Sequence, residues 1–314
     1  MALLSKSTHF KHFWQVFMST LLPTYPPLAR IIEALTKADG ITQTHLPGVS
    51  LLCLGRHQAR TPLLYEPSLT VIALGRKVGY LGDREIHYNP GHYLVQTLPL
   101  PFECETHGSP EAPLLGISVK LDPALLSEMV MAMGNISAPT ISPKPMASVA
   151  MTSGMQEAVD RLAGTLTCET ECAIMGAARI REVVFEALKG EQGPALRALV
   201  NGQGHYSRIV QVLSKLHVSF ADEFRVEQLA QQASMSVSTF HHYFKQITRA
   251  SPAQYLKRLR LIKAQQLLSQ QEHNVNQAAL AVGYRSVPQF SRDYKRYFGE
   301  SPLQHRRQEQ MLQG

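Results

Sequence analysis

A sixteen-residue stretch recurs fifty positions along this chain. FHHYFKQITRASPAQY (240–255) returns as FSRDYKRYFGESPLQH (290–305). Phe240 matches Phe290, Phe244 matches Tyr294 and Lys245 matches Lys295. Ser251-Pro252-x-Gln254 matches Ser301-Pro302-x-Gln304. Upstream, with one residue of slack, LAQQASMS (229–236) aligns with AALAVGYRS (278–286). A repeat at a fixed offset means one supersecondary unit used twice.

Each copy reads mechanically. In the first, Val226, Leu229, Ala230 and Ala233 line one face of a short helix, and Ser234-Met235-Ser236 makes a tight turn. Ser236 is placed to cap the next helix, Val237–Gln246, which Phe240 and Phe244 bury at i, i+4 spacing. In the second copy Val275, Ala278, Ala279 and Val282 form the first helix, and Gly283-Tyr284-Arg285 the turn. Ser286 caps Val287–Phe298, where Pro288 is tolerated in the first turn. This is helix-turn-helix geometry, whose second helix can enter a DNA major groove. Between the copies, Ser251 and Pro252 open a helix to about Leu268 that is apolar on more than one face. Such a helix fits between two bundles and can act as a strut.

Charge is unevenly placed. From His205 onward lie 15 of the 31 Lys and Arg but 7 of the 24 Asp and Glu, a net +8 against −1 for the rest. The excess suits a polyanionic partner; a solvated basic surface is the plainer alternative.

The N-terminal two thirds differ. Pro26 and Pro27 open a short helix that Gly40 closes. Residues 41–122 alternate short apolar runs with Gly-Asp, Asn-Pro-Gly and Gly-Ser-Pro, a meander expected to close as a small barrel or sandwich. From Pro123 to Gly190 the apolar period is helical, and 190–205 reads as a linker. No apolar run is long enough to span a membrane. Residues 1–22 lack the pattern of a secretion signal, and four cysteines make no disulfide scaffold, so a cytoplasmic protein is expected.

The segment LAQQASMSVSTFHHYFKQITRASPAQYLKRLRLIKAQQLL with AALAVGYRSVPQFSRDYKRYFGESP resembles the DNA-binding domain of AraC/XylS-type bacterial transcription regulators. LTVIALGRKVGYLGDREIHYNPGHYLV, TLPLPFECE and LLGISVKLDP resemble the cupin-like N-terminal domain of one subgroup. The resemblance implies an α+β chain: an N-terminal cupin-like β-barrel with helices at 28–204, and an all-α double helix-turn-helix domain at 205–314. Residues 1–27 form an extension in which Met18 is an alternative start. It further implies a double-stranded DNA operator read in two adjacent major grooves, a small-molecule effector, RNA polymerase as partner, and an activator of transcription. One departure is Ser234, where the family often has glycine; it is expected to matter little.

Carried over residue by residue, base-reading positions fall at Ser238, His241 and His242, then at Val287, Pro288, Gln289, Ser291 and Arg292. Arg292 suits a bidentate contact with guanine and Gln289 one with adenine. Lys245, Lys295 and Arg296 suit phosphates. An ordinary solvated side chain is the alternative at each.

A barrel enzyme with a DNA-targeting module is the competing class. Metal candidates are His87, His92, Glu103, Glu105 and His107, but the close His pair of a cupin metal site is absent, and no nucleophile elbow or phosphate loop occurs. The expectation is therefore no enzyme, no metal and no cofactor. Cys168 and Cys172 at i, i+4 make a candidate redox pair, against a chance helical pair. Tyr65, Tyr80, Tyr88, Tyr93 and Phe102 are candidates for a pocket lining. The helices of 123–190 either pack on the barrel or form the face of a homodimer.

Overall fold

Proline decides where the first element begins. The computed structural model describes residues 25–134, 143–200, 204–270 and 273–313. The alternative start at Met18 and most of the extension lie outside them. Helix α1 (Pro27–Leu35) opens on its proline and buries Leu28, Ala29 and Ile32. It ends sooner than Gly40, with the Thr36 N–H on the Ile32 carbonyl. Gly40, at φ +126°, instead begins a run of strands.

Those strands are β1 (Gly40–Gln43), β2 (Val49–Leu54), β3 (Gln58–Leu64), β4 (Ser68–Leu74), β5 (Arg76–Leu81), β6 (Arg84–Tyr88), β7 (His92–Gln96), β8 (Pro101–His107) and β9 (Leu114–Lys120). A tenth, β10 (Met146–Ala150), follows helix α2 (Pro123–Met133). It pairs with β7, Met146 opposite Gln96 and Ala150 opposite His92. The expectation that residues beyond 122 are all helical is corrected here: MASVA is too short and too small-residue-rich to announce a strand.

The expected closed barrel is also corrected. The strands form two antiparallel sheets, β1-β2-β9-β4-β7-β10 and β3-β8-β5-β6. Closure is unnecessary because the larger sheet is covered on both faces. Val49, Leu51, Leu69, Val71, Val95, Ile117 and Val119 face α1, α2, α3 (Ser153–Thr165) and α4 (Glu169–Lys189). Leu52, Leu54, Ile72, Leu94 and Leu114 face the smaller sheet. A sheet buried on both faces reads as a continuous apolar run, as Val71–Ala73 does.

The segment read as a linker carries a short helix, α5 (Gly193–Ala198), with Ala195 and Leu196 fully buried. Pro194 stands at its start. The C-terminal helices are α6 (Gly204–Val218), α7 (Val226–Gln232), α8 (Val237–Thr248), α9 (Pro252–Ser269), α10 (Val275–Ala281), α11 (Val287–Phe298) and α12 (Pro302–Gln313). Helix α9 serves two cores. Its Tyr255 and Leu259 join Phe240, Phe244 and Leu213 in a cluster continuous with Leu98, Leu100 and Phe102 of the sandwich. Its Leu261, Ala264 and Leu268 join Ala278, Ala279, Val282, Phe290 and Tyr294.

The sandwich and the first helical unit are also joined by polar bonds. The Tyr255 hydroxyl donates to the Pro99 carbonyl at 2.9 Å. His217 Nε2 lies 2.6 Å from that same hydroxyl. With the hydroxyl proton on Pro99, the imidazole donates from Nε2. Burial, with Lys263 nearby, lowers the His217 pKa to about 4. An unfolded histidine titrates near 6.5, so the unfolded chain binds the extra proton first as pH falls. This contact is therefore intact above about pH 6.5 and lost as pH falls toward 4, by at most about 3 kcal/mol. Melting temperature followed against pH should fall across that window in the natural chain and less steeply in His217→Gln; parallel curves would contradict the assignment.

Candidate nucleic-acid interface

In both helical repeats a left-handed residue turns the chain after the first helix. In the first it is Ser234, at φ +51°, with the Met235 N–H bonding the Ala230 carbonyl. In the second it is Gly283, at φ +81°, with the Tyr284 N–H bonding the Ala279 carbonyl. Ser234 thus adopts the backbone that glycine would take, which strains a residue bearing a Cβ by roughly 1 kcal/mol. Ser234→Gly should accordingly raise the melting temperature, since relief of strain at φ > 0 exceeds glycine's added chain entropy. A lower melting temperature would show that the serine side chain contributes more than the strain it carries.

Each second helix is capped by a serine: Ser236 Oγ accepts the Thr239 N–H at 3.2 Å, and Ser286 Oγ the Gln289 N–H at 3.4 Å. The buried side of α8 is Phe240, Phe244 and Ile247; that of α11 is Phe290 and Tyr294. These faces fix which residues point outward. Ser238, His241, His242 and Lys245 are exposed on α8. Pro288, Gln289, Arg292 and Lys295 are exposed on α11, while Val287 and Ser291 are half-buried. Among the described residues, Lys245, Arg292 and Lys295 have no carboxylate partner, which leaves their charges for another anion. Arg296 differs: it pairs with Asp293 at 3.0 Å, and Asp293 also takes Lys257 at 2.6 Å. Helix α11 approaches β3 of the sandwich, yet its outward positions stay open to solvent.

The relation between the repeats depends on a residue that sequence reading did not single out. Arg260, midway along α9, donates to the Phe220 and Asp222 carbonyls at 2.7 Å each, and to Ala221 at 3.3 Å and Gly283 at 3.4 Å. One guanidinium thus ties the strut to the loop after α6 and to the second turn. The available signal was an arginine amid the apolar run LRLI.

The other sequence candidates scatter. Cys168 is the exposed N-cap residue of α4, whereas Cys172 is buried in the core beneath it. The two thiols thus differ in access to solvent. Burial, reinforced by Cys168, pushes the Cys172 thiol up, the direction of lower reactivity. His87 and His92 are exposed on β6 and β7. Glu105 and His107 come together with His57, which sequence reading did not weigh, and their ligand atoms lie within 4.8 Å of one another. Arg76 Nη2 lies 3.2 Å from His107 Nε2, placing a fixed cation beside the same nitrogen. Of the aromatic pocket candidates, Tyr65 and Tyr88 line a cavity between the two sheets. Tyr80 faces outward onto Glu105, and Tyr93 packs toward the helices.

Comparison with known proteins places both halves. Residues 45–195 match the model of the AraC-type transcriptional regulator N-terminus, and residues 229–308 match a helix-turn-helix domain model. The HTH-type transcriptional activator RhaS of Salmonella schwarzengrund is 38% identical over 96 residues, 31% of this chain and 34% of RhaS. RhaS of Salmonella arizonae aligns equally. The match thus spans about a third of the length of these relatives. Among solved structures, wild-type ToxT from Vibrio cholerae bound to unsaturated fatty acid superposes with a TM-score of 0.57 at 10% identity, over 82% of this chain and 93% of that one. Another ToxT crystal form gives 0.54 at 10%, over 82% and 97%. Both share the fold. With two domain models covering sandwich and repeats in the observed order, the chain belongs to the AraC/XylS family of transcriptional regulators.

Proposed function

We propose that this protein is a sequence-specific DNA-binding regulator of transcription whose two helix-turn-helix units enter successive major grooves, and whose sandwich domain responds to a small molecule. The observation that carries the reading is the pair of serine-capped helices, each outward face open, joined by one strut. Eighteen residues at 1.5 Å per residue give α9 a length of about 27 Å. That suits two helices spaced for grooves one turn, about 34 Å, apart. Ser238, His241 and His242 would read bases from α8, and Val287, Gln289, Ser291 and Arg292 from α11. Val287 and Pro288 offer no hydrogen bond, so they suit thymine methyls or close backbone approach. Lys245 and Lys295 would meet phosphates. RNA polymerase contact and activation, the role in the name of RhaS, belong to the same proposal. So does a homodimer: Met131 on α2 and Ile174 and Phe185 on α4 are exposed apolar residues that a second copy would cover.

Arg292→Ala should weaken binding to a selected site by roughly 1–3 kcal/mol and relax preference at one base position. Competitive gel-shift titration against single-base variants reads both effects. Unchanged affinity and preference would remove Arg292 from the readout set. A uniform loss on all sequences would make it a phosphate contact.

A further inference from the structure

Between the two sheets lies a cavity of about 500 Å³, within the range of small-molecule sites. One wall is a rank of three hydroxyls at directly opposed positions. Ser50 on β2 faces Ser118 on β9, and Ser118 faces Thr70 on β4. Thr70 and Ser118 are hydrogen-bonded at 3.1 Å. A buried face of a packed sheet is ordinarily apolar, and Leu52 and Ile72 on the same strands are. Across the cavity stand Lys77 and Tyr88, opposed on β5 and β6.

Lys77 is the unusual group. Its side chain is 3% exposed and lines the cavity. Its ammonium donates to the Tyr65 hydroxyl at 2.7 Å, and among the described residues no carboxylate pairs with it. A buried ammonium has three donors and is ordinarily paired with a carboxylate, because an unpaired buried charge is strongly disfavoured. Burial works against the charged form, but the neighbouring Tyr65 and Cys104 outweigh it and hold the ammonium above the ordinary lysine value. The cavity thus presents a buried lysine amine that, among the described residues, has a phenol and no carboxylate as its partner, opposite a row of hydroxyls.

We infer that this cavity binds a small hydroxylated carboxylate, its carboxyl on Lys77 and Tyr65 and its hydroxyls on Ser50, Ser118 and Thr70. The inference rests on the effector-responsive reading above and names the ligand's chemical class. Of the charged residues lining the cavity, the exposed Lys120 and Glu66 offset one another, so one carboxylate balances the buried Lys77 and a phosphate dianion would leave a net charge. The hydroxyl row disfavours a purely aliphatic chain, which would meet none of the hydrogen-bonding capacity left over by the Thr70–Ser118 bond.

The test is calorimetric titration of the full chain with glycerate, gluconate, glucuronate and quinate, each beside its uncharged alcohol or amide, with octanoate and gluconate 6-phosphate as further arms. At least one hydroxy acid should bind one-to-one and more tightly than its uncharged analogue, octanoate or the phosphate. Lys77→Met should weaken that binding about tenfold or more, the loss expected of one charge-assisted hydrogen bond. Ser118→Ala should weaken it less, and it keeps the test open if the lysine variant fails to fold. No hydroxy acid binding above its uncharged analogue, preference for octanoate or the phosphate, or unchanged affinity in both variants would overturn the assignment. Gel shifts on the same preparations separate the two readings: loss of ligand binding with DNA binding intact refutes the ligand class alone, whereas a natural chain that binds no DNA refutes the regulator.

Discussion

Gly283→Ala is expected to destabilise the second helical unit by about 3–5 kcal/mol. Two independent causes add. The backbone at Gly283 has φ +81°, which a residue with a Cβ adopts only with strain. An added Cβ would also stand 2.2 Å from the Ala221 carbonyl oxygen and 2.9 Å from its Cα. Those are backbone atoms, so no side chain can swing aside; either the turn or the 220–222 loop must move. Urea unfolding should show a lower midpoint, and a gel shift should show loss of the contacts made by α11. A variant as stable as the natural chain would mean that the second turn is not held against that loop.

The second large effect belongs to the same joint. Arg260→Leu should remove about 2–4 kcal/mol of stability, because two short and two longer charge-assisted bonds to carbonyls are lost and four acceptors are left without their donor. Leucine keeps part of the apolar stem, so the loss reports on hydrogen bonding more than on packing. The expected phenotype is selective. The first unit shares its core with the sandwich, and the second has a separate one, so contacts of α11 with DNA should weaken more than those of α8. Arg260→Lys should not rescue, since an ammonium cannot span carbonyls on both sides of the joint. Gly283→Ala and Arg260→Leu act through one loop and should combine to less than the sum of their separate effects. Full additivity would show two unrelated defects.

The helical third was legible in sequence because each local signal agreed with the others. Serine caps, phenylalanines at i, i+4 and the repeated Ser-Pro-x-Gln all named the same boundaries, and the structure places Ser236, Ser251 and Ser286 at those caps. The two-sided apolarity of α9 likewise announced its two cores. What stayed hidden was long-range. Arg260 looks like any surface arginine until the chain brings three loop carbonyls to it. The strands were legible but their closure was not: the residues left barrel or sandwich open and the resemblance implied a barrel, because alternation along a strand gives the face and not the partner strand. β10 was missed since its five residues carry no strong propensity and pair only with β7, fifty residues upstream. Lys77 escaped notice for the same reason: in GRKVGY it reads as one of two adjacent bases, and only packing of its sheet against the larger one buries it.

Two helices of one chain are expected to lie side by side in one flank of the duplex. Guanine and adenine methylation interference on a site selected by the natural chain measures it directly. Two patches of major-groove interference centred about one helical turn, roughly 10 base pairs, apart on the same face are predicted, with Arg292→Ala erasing interference in only one of them. A single patch, or two patches on opposite faces of the duplex, would contradict it.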